Sequence, residues 1–374
     1  CKIGSICESF YTKMKINLTQ NKNFKLFKII SKVAQENNQT VYIVGGYVRD
    51  LLMQRKAPTD IDFVTEQSGI ELAKAVGKEL GDLKVSVFKT YGTAMIKYKD
   101  LDLEFVGARK ESYSEDSRKP AVETGTLEDD QKRRDFTVNA LAISLNAENF
   151  GELIDPFNGR EDMQNKILRT PLEPAQTYSD DPLRMMRAIR FASVLHFEIE
   201  KNSLEAIKQE AERIKIVSME RIMVEFNKIM LSEKPSVGLK LMEETTLLEK
   251  IIPELTALRG IEEVEGQTHK DNFWHTLEVV DNISKNTDNL WLRWAALLHD
   301  IGKAPTKKFV EKIGWTFHGH EFLGSKMVKN LFTRLKLPLG TDMKYVQKMV
   351  KLSSRPIALI DDGTSDSALR RLLF

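Results

Sequence analysis

The stretch from Val41 to Val64 constrains this chain more than any other. Val41-Tyr42-Ile43-Val44 has the β-branched and aromatic make-up of a short strand, and it runs directly into Gly45-Gly46 and Arg49-Asp50. Further on, Asp60-Ile61-Asp62-Phe63 alternates polar and apolar residues. Such alternation puts Asp60 and Asp62 on one face of a strand and Ile61 and Phe63 in the opposite layer. Two carboxylates held side by side repel unless a cation lies between them, and magnesium takes hard oxygen ligands while sharing its other sites with phosphates. Gly45 and Gly46 lack Cβ, so the backbone can turn sharply and come close to a triphosphate. The apolar spacing of residues 47–53 predicts a short helix whose first amides face the same anion, and Arg49 adds a fixed positive fork. A lone Asp-x-Asp most often marks a solvated turn; with the glycines at this spacing it predicts a site where nucleotide and metal meet.

The flanking pattern is coarse but readable. Phe24 to Ala34 spaces its apolar residues three and four apart, as an amphipathic helix does. Residues 84–88, 93–98 and 101–107 read as short strands, with Tyr91-Gly92-Thr93 as a turn. In the last of these runs Asp102 and Glu104 share a face. From Lys110 to Asp130 the chain turns polar and loses periodicity, which predicts a mobile loop. From Asp181 onward a helical period dominates, with stripes at Ala188, Ile189, Ala192 and Leu195, at Leu204, Ile207 and Ile214, and at Ile222, Phe226 and Ile229. These predict an α/β head followed by an all-helical half.

Four motifs in order carry a family resemblance. Gly45-Gly46-Tyr47-Val48-Arg49-Asp50 with Asp60-Ile61-Asp62, then Arg133-Arg134-Asp135-Phe136-Thr137-Val138-Asn139-Ala140-Leu141, then Asp155-Pro156-Phe157-Asn158-Gly159, then Asp181-Pro182-Leu183-Arg184-Met185-Met186-Arg187-Ala188-Ile189-Arg190-Phe191, resemble the class II tRNA nucleotidyltransferases (CCA-adding enzymes) and the bacterial poly(A) polymerases. A weaker likeness continues through Glu220-Arg221-Ile222. The resemblance implies an α+β fold: a polymerase-β-like nucleotidyltransferase head, with helices on a mixed sheet, then an all-helical neck and body. It implies two-metal nucleotidyl transfer, with Asp60 and Asp62 binding two Mg2+ ions and Glu104, before Phe105-Val106 and near Arg109, touching one of them as the third catalytic acid. Gly45, Gly46 and Arg49 would hold the triphosphate, helped by Arg133 or Arg134. Asp135 and Asn139 lie four apart at a presumed helix start, where Asp135 either caps backbone amides or touches the nucleotide. Asp181, Arg184, Arg187 and Arg190 would form a nucleotide-binding face. A carboxylate and a guanidinium three apart on a predicted helix share a face and can read a Watson–Crick edge. Asp180 departs from the family, whose members often carry Glu there. The implied substrates are CTP, ATP and the 3′ end of tRNA, whose acceptor arm the helical body would bind by shape and backbone.

A second constellation lies in His275, His299-Asp300 and His318-Gly319-His320-Glu321. The run Leu297-Leu298-His299-Asp300-Ile301-Gly302-Lys303 resembles the HD metal-dependent phosphohydrolases, which implies a second divalent-metal site at His275, His299, Asp300 and His320. Imidazole and carboxylate together suit manganese, nickel, iron or zinc. Near Ser353-Ser354-Arg355-Pro356 similar tandem enzymes carry a further His before the Arg-Pro, and Asp366 is a candidate late ligand.

These readings divide the chain into an N-terminal extension (1–23), a nucleotidyltransferase head (24–170), a helical neck and body (171–260) and an HD domain (261–374) with a cut C-terminal end. A net charge of +2 leaves RNA binding to local basic patches rather than a global field. No apolar stretch approaches the ~20 residues that span a bilayer, and Cys1 and Cys7 provide no disulfide framework, so a cytoplasmic, membrane-free protein is expected. Two other readings share these motifs: a poly(A) polymerase or an enzyme adding only A or only CC, and a regulatory nucleotidyltransferase coupled to an HD hydrolase.

Overall fold

The computed structural model describes residues 14–56, 58–114 and 117–355. Cys1, Cys7, Asp366 and the closing residues 370–374 lie outside the described residues. The chain divides into two compact units that meet in sequence between Glu173 and Pro174.

The first unit opens with helix α1 (Phe24–Glu36), strand β1 (Tyr42–Val44), helix α2 (Gly46–Leu52), strand β2 (Asp60–Thr65), helix α3 (Gly69–Glu79) and strands β3 (Val85–Phe88), β4 (Thr93–Tyr98) and β5 (Leu101–Gly107). It continues through β6 (Arg109–Ser114), β7 (Ser117–Thr124), helix α4 (Leu127–Lys132), strands β8 (Ala142–Ser144) and β9 (Leu153–Ile154), and helix α5 (Gly159–Asn165). Seven strands make one mixed sheet in the order β3-β4-β5-β2-β1-β8-β9. The β2–β5 pair is parallel and sets Asp62 beside Glu104 and Asp60 beside Asp102.

The two faces of the sheet are covered unequally. On one face Leu26, Phe27, Ile30 and Val33 of α1 and Leu72 and Val76 of α3 are buried with Ile43, Ile61, Phe63 and Phe105. Phe63 stacks on Phe105 with ring centres 5.0 Å apart. The opposite face has only a small apolar cluster, Val44, Val64, Ala108, Leu127 and Ala142, which includes a residue of α4. The strands' polar positions therefore stay open where the acids project.

The predicted loop over 110–130 is not what forms. β6 and β7 pair as an antiparallel hairpin, and α4 begins at Leu127. The segment carries polar residues at both phases of its alternation, so no apolar period marks it as strand. A capping box starts α4: Thr126 Oγ1 accepts from the Asp129 amide at 3.2 Å, and the Asp129 carboxylate accepts from the Thr126 amide at 2.9 Å.

The second unit is helical, through α6 (Pro174–Asp180), α7 (Leu183–Leu195), α8 (Lys201–Glu210), α9 (Met219–Met230), α10 (Pro235–Glu244), α11 (Leu247–Ile251), α12 (Pro253–Thr256), α13 (Asn272–Ser284), α14 (Leu290–Leu298), α15 (Lys303–Thr306), α16 (His320–Arg334) and α17 (Thr341–Leu352). Two short antiparallel strand pairs, Glu263–Val264 with Gln267–Thr268 and Lys308–Val310 with Gly314–Thr316, interrupt it. The expected stripes are buried at Ala188, Ile189, Ala192 and Leu195 and at Ile222, Phe226 and Ile229. Arg293 of α14, 2% exposed, donates to the carbonyls of Met230, Ser232, Ser284 and Thr287. One guanidinium thus closes the end of α9 against α13 and α14.

Candidate functional site

Gly45 is the hinge of the first site. Its φ of 75° lies where side chains are disfavoured, and an added Cβ would stand 3.0 Å from Arg134 Nη1 and 3.3 Å from Asp62 Oδ2. The turn thus brings the backbone against an acid and its counter-charge together. Asp62, Glu104, Arg109, Arg133 and Arg134 border an open cleft of about 550 Å3, which exposed Phe88 also lines.

The cleft's electrostatics follow from burial. Desolvation pushes the Asp62 carboxyl above the usual carboxylate range; Arg134 opposes this, and the charges of Asp60 and Asp130 add to it. Burial likewise raises Glu104, helped by the charge of Asp62 and opposed by Arg109. Asp62 and Glu104, whose ionised forms are disfavoured, lie on neighbouring strands beside exposed Asp60; all three offer the oxygen donors that a hard divalent cation takes, but their ligand atoms do not all lie within 4.8 Å of one another. Register separates the two candidates for the third acid: Glu104 neighbours Asp62, whereas Asp102 neighbours Asp60 and lies opposite Lys97.

Asp130, at the end of the segment expected as a loop, anchors the cations. It is wholly buried on α4, where it accepts from Arg134 Nη2 at 2.8 Å and from Arg133 Nε at 3.0 Å. Burial alone would raise its carboxyl, but Arg134 and then Arg133 outweigh that and hold it below the ordinary range. The helical spacing Asp130, Arg133, Arg134 was the available signal.

The remaining motif residues of this unit form a bonded relay. Arg49 pairs with Asp50 at 2.9 Å and donates to Asn139 Oδ1 at 2.7 Å. Asn139 in turn donates to Asp135 Oδ1 at 2.9 Å, and Asp135 also accepts the Phe136 amide. The segment after Asp135 is a single 3-10 turn, Thr137–Asn139, rather than an α-helix start. Asp155 caps α5 by accepting the amides of Gly159 and Arg160, and Asp162 accepts from Thr137 Oγ1 at 2.7 Å. A Cβ on Gly159 would fall 2.2 Å from the Thr137 carbonyl, so the third motif packs directly onto the second.

In the second unit, Asp181 and Arg184 do not share one helix. α6 ends at Asp180 and α7 begins at Leu183. Pro182 disfavours a helical residue before it, which breaks the predicted continuous helix. Asp181 lies in the break before the N-cap Pro182, where its carboxylate accepts the Leu183 amide at 3.3 Å and stands 3.9 Å from Arg221. Arg184 donates to the Thr177 carbonyl. Arg190 is drawn to Glu225 of α9 and lies over the Phe191 ring, which Arg187 also approaches. Gln176 donates to Asp180 at 2.6 Å.

The HD constellation converges in the same unit. His275 on α13 and His299-Asp300 after α14 offer ligand atoms all within 4.8 Å of one another, the one such group among the described residues. His320 stands outside that group and reaches it through Asp300, Nε2 to Oδ1 at 3.5 Å. The Nδ1 atoms of His299 and His320 lie 2.8 and 2.9 Å from the carbonyls of Ala296 and Phe317. Donation from Nδ1 leaves Nε2 of each ring turned towards Asp300, which suits a bound metal or a proton there. Lys303 supplies one cation already, 2.7 Å from Asp300 Oδ2. Ser354 donates to Glu321, which neighbours His320.

Together these features define a chain with a nucleotidyltransferase head and a helical unit carrying an HD-type cluster. Residues 41–169 match the model of the poly A polymerase head domain, residues 196–258 the probable RNA and SrmB-binding site of polymerase A, and residues 272–364 the HD domain. The chain is 34% identical over 301 residues to the A-adding tRNA nucleotidyltransferase of Aquifex aeolicus, covering 76% of this chain and 34% of that protein. It is 32% identical over 311 residues to the multifunctional CCA protein of Shewanella frigidimarina, covering 80% and 70% of the two chains. A crystal structure of a tRNA nucleotidyltransferase complexed with a primer tRNA and an incoming ATP analog aligns with a TM-score of 0.64 and 28% identity, over 92% of this chain and 90% of that one. This chain belongs to the class II tRNA nucleotidyltransferase and poly(A) polymerase family, with an HD domain. It spans 34%, 65% and 52% of the length of the first three curated relatives. Among the described residues no helix is long and apolar enough to cross a membrane.

Proposed function

We propose that the chain is a cytoplasmic tRNA nucleotidyltransferase that adds C and A to the tRNA 3′ end from CTP and ATP without a nucleic-acid template. One observation carries the reading: Asp62 and Glu104 are register neighbours, set against the Gly45 turn and facing Arg134 and Arg109. A. aeolicus and S. frigidimarina relatives named for adding A or CCA support it. The working division is an extension (1–23), head (24–170), neck and body (171–260) and HD domain (261–374).

In the reaction the ribose 3′-hydroxyl attacks the α-phosphate of the incoming nucleotide, and pyrophosphate leaves. Asp60, Asp62 and Glu104 are the residues that would hold magnesium, which when bound acidifies the attacking hydroxyl and neutralises the leaving group. Gly45 and Gly46 let the backbone approach the triphosphate, and Arg133 and Arg134 add charge on its side. Arg49, tied to Asp50 and Asn139, keeps the Gly-Gly turn and the Asp135 turn in one geometry. Asp181 and Arg184 read the base edge, with Arg187 beside them; Arg190, paired with Glu225, braces α7 against α9.

The His275, His299 and Asp300 convergence favours a second activity, metal-dependent hydrolysis of phosphoesters at the HD domain. Labelled nucleotides tested singly on a tRNA lacking its 3′ end separate the readings. Arg184→Ala is expected to blur nucleotide choice more than it slows addition; a variant that is slow but equally selective would contradict base reading. His299→Ala should lower the bound-metal content of the purified protein by about one ion.

A further inference from the structure

Beside the HD cluster lies a second open cleft, of about 480 Å3, that the nucleotidyl-transfer reading leaves without a role. Its lining joins Lys234, Lys240 and Lys270 to Trp274 and to His275, the first residue of the metal-type group. Trp274 follows the N-cap of α13 and is 42% exposed, a large ring presented to solvent one residue before a ligand-type histidine. Lys240 of α10 holds its ammonium 5.5 Å from the centre of that ring. The lining also contains Asp271, Glu278 and Asp281. Two of these acids are already engaged: Asp271 accepts the amides of Phe273, Trp274 and Gly260, and Asp281 accepts the amide and hydroxyl of Ser236. Asp271 is the N-cap of α13, and Asp281, in the last turn of α13, sets its carboxylate against the first turn of α10, so backbone amides at a helix start offset both charges. The lysines and Glu278 are left to decide what the cleft attracts.

An exposed indole flanked by ammonium groups is the combination that holds an unpaired nucleotide: the base stacks on the ring, and the phosphate meets the lysines. We propose that this cleft binds one unpaired nucleotide with its base on Trp274 and its phosphate on Lys240 and Lys270, presenting the phosphoester to His275. The choice of a phosphoester ligand rests on the HD reading given above. Both an RNA end and a free mononucleotide carry this chemistry.

The test uses the full chain in the presence of a chelator, so that binding is read without hydrolysis. A short fluorescent oligoribonucleotide bearing a photoreactive uridine is followed by anisotropy, then crosslinked and mapped by peptide mass spectrometry. The expected crosslink falls on the peptide containing Trp274. Trp274→Leu and Lys240→Gln should each weaken binding by about fivefold or more, and Trp274→Phe should restore most of it. Competition by AMP as strong as that by unlabelled oligomer identifies a mononucleotide site, whereas competition by the oligomer alone identifies an RNA end. Crosslinks only elsewhere, or equal affinity in all three variants, overturn the proposal. Metal content of the wild-type protein, measured separately, distinguishes this failure from failure of the HD reading: a chain that binds metal but not the oligomer loses only the cleft.

Discussion

Asp62 concentrates the chemistry of the head into one titrating group. Burial raises its carboxyl, so the folded state holds that proton more tightly than the unfolded chain does. Stability is therefore gained as pH falls through the raised value, and the ionised acid costs stability at neutral pH. Asp62→Asn should abolish nucleotide incorporation yet raise the melting point at neutral pH, because it removes the cost of the buried charge. On acidification that advantage should shrink; a variant equally stabilised at every pH would show that the carboxylate carries no such strain. Gly45→Ala should cost about 1–2 kcal/mol, because a side chain enters the positive-φ region and meets Arg134 and Asp62. Its incorporation rate should fall more than its thermal stability. The strand–glycine–strand logic of residues 41–64 was legible in the sequence because alternation assigns faces directly. Asp130 was not, since a buried acid inside a polar run looks like any solvated one until its helix is known.

At the scale of the element, α4 does for the site what no single motif reveals. It places Leu127 in the small apolar cluster on the open face of the sheet, and its end aims Arg133 and Arg134 with Asp130 as their common anchor. Removing one partner of a buried pair leaves an uncompensated charge, so Asp130→Ala should cost about 3–5 kcal/mol by denaturant unfolding. A loss below ~1 kcal/mol would mean that the arginines find other partners. The β6–β7 hairpin escaped prediction because its alternation is polar at both phases. The α6–α7 break escaped because a helical apolar period runs through Pro182, although the proline itself was the sign that the helix would stop before Asp181.

At the scale of the molecule, the order of motifs announced a mixed-sheet head and a helical remainder, but not what closes the helical unit. Arg293 was invisible as an organiser because, apart from the exposed Asp288, its partners are main-chain carbonyls at four separate positions, and carbonyls leave no sequence signature. Arg293→Met would leave those acceptors buried and unpaired, and should lower the melting point of the helical unit by about 6–12 °C, the equivalent of ~3 kcal/mol. The most direct test of the whole reading is product length. The chain is incubated with magnesium, CTP and ATP, and a tRNA ending before its last three nucleotides, and the product is sized at single-nucleotide resolution. Growth is expected to stop after C, C and A; long A tails, addition of a single A regardless of CTP, or no growth at all would contradict CCA addition by this chain.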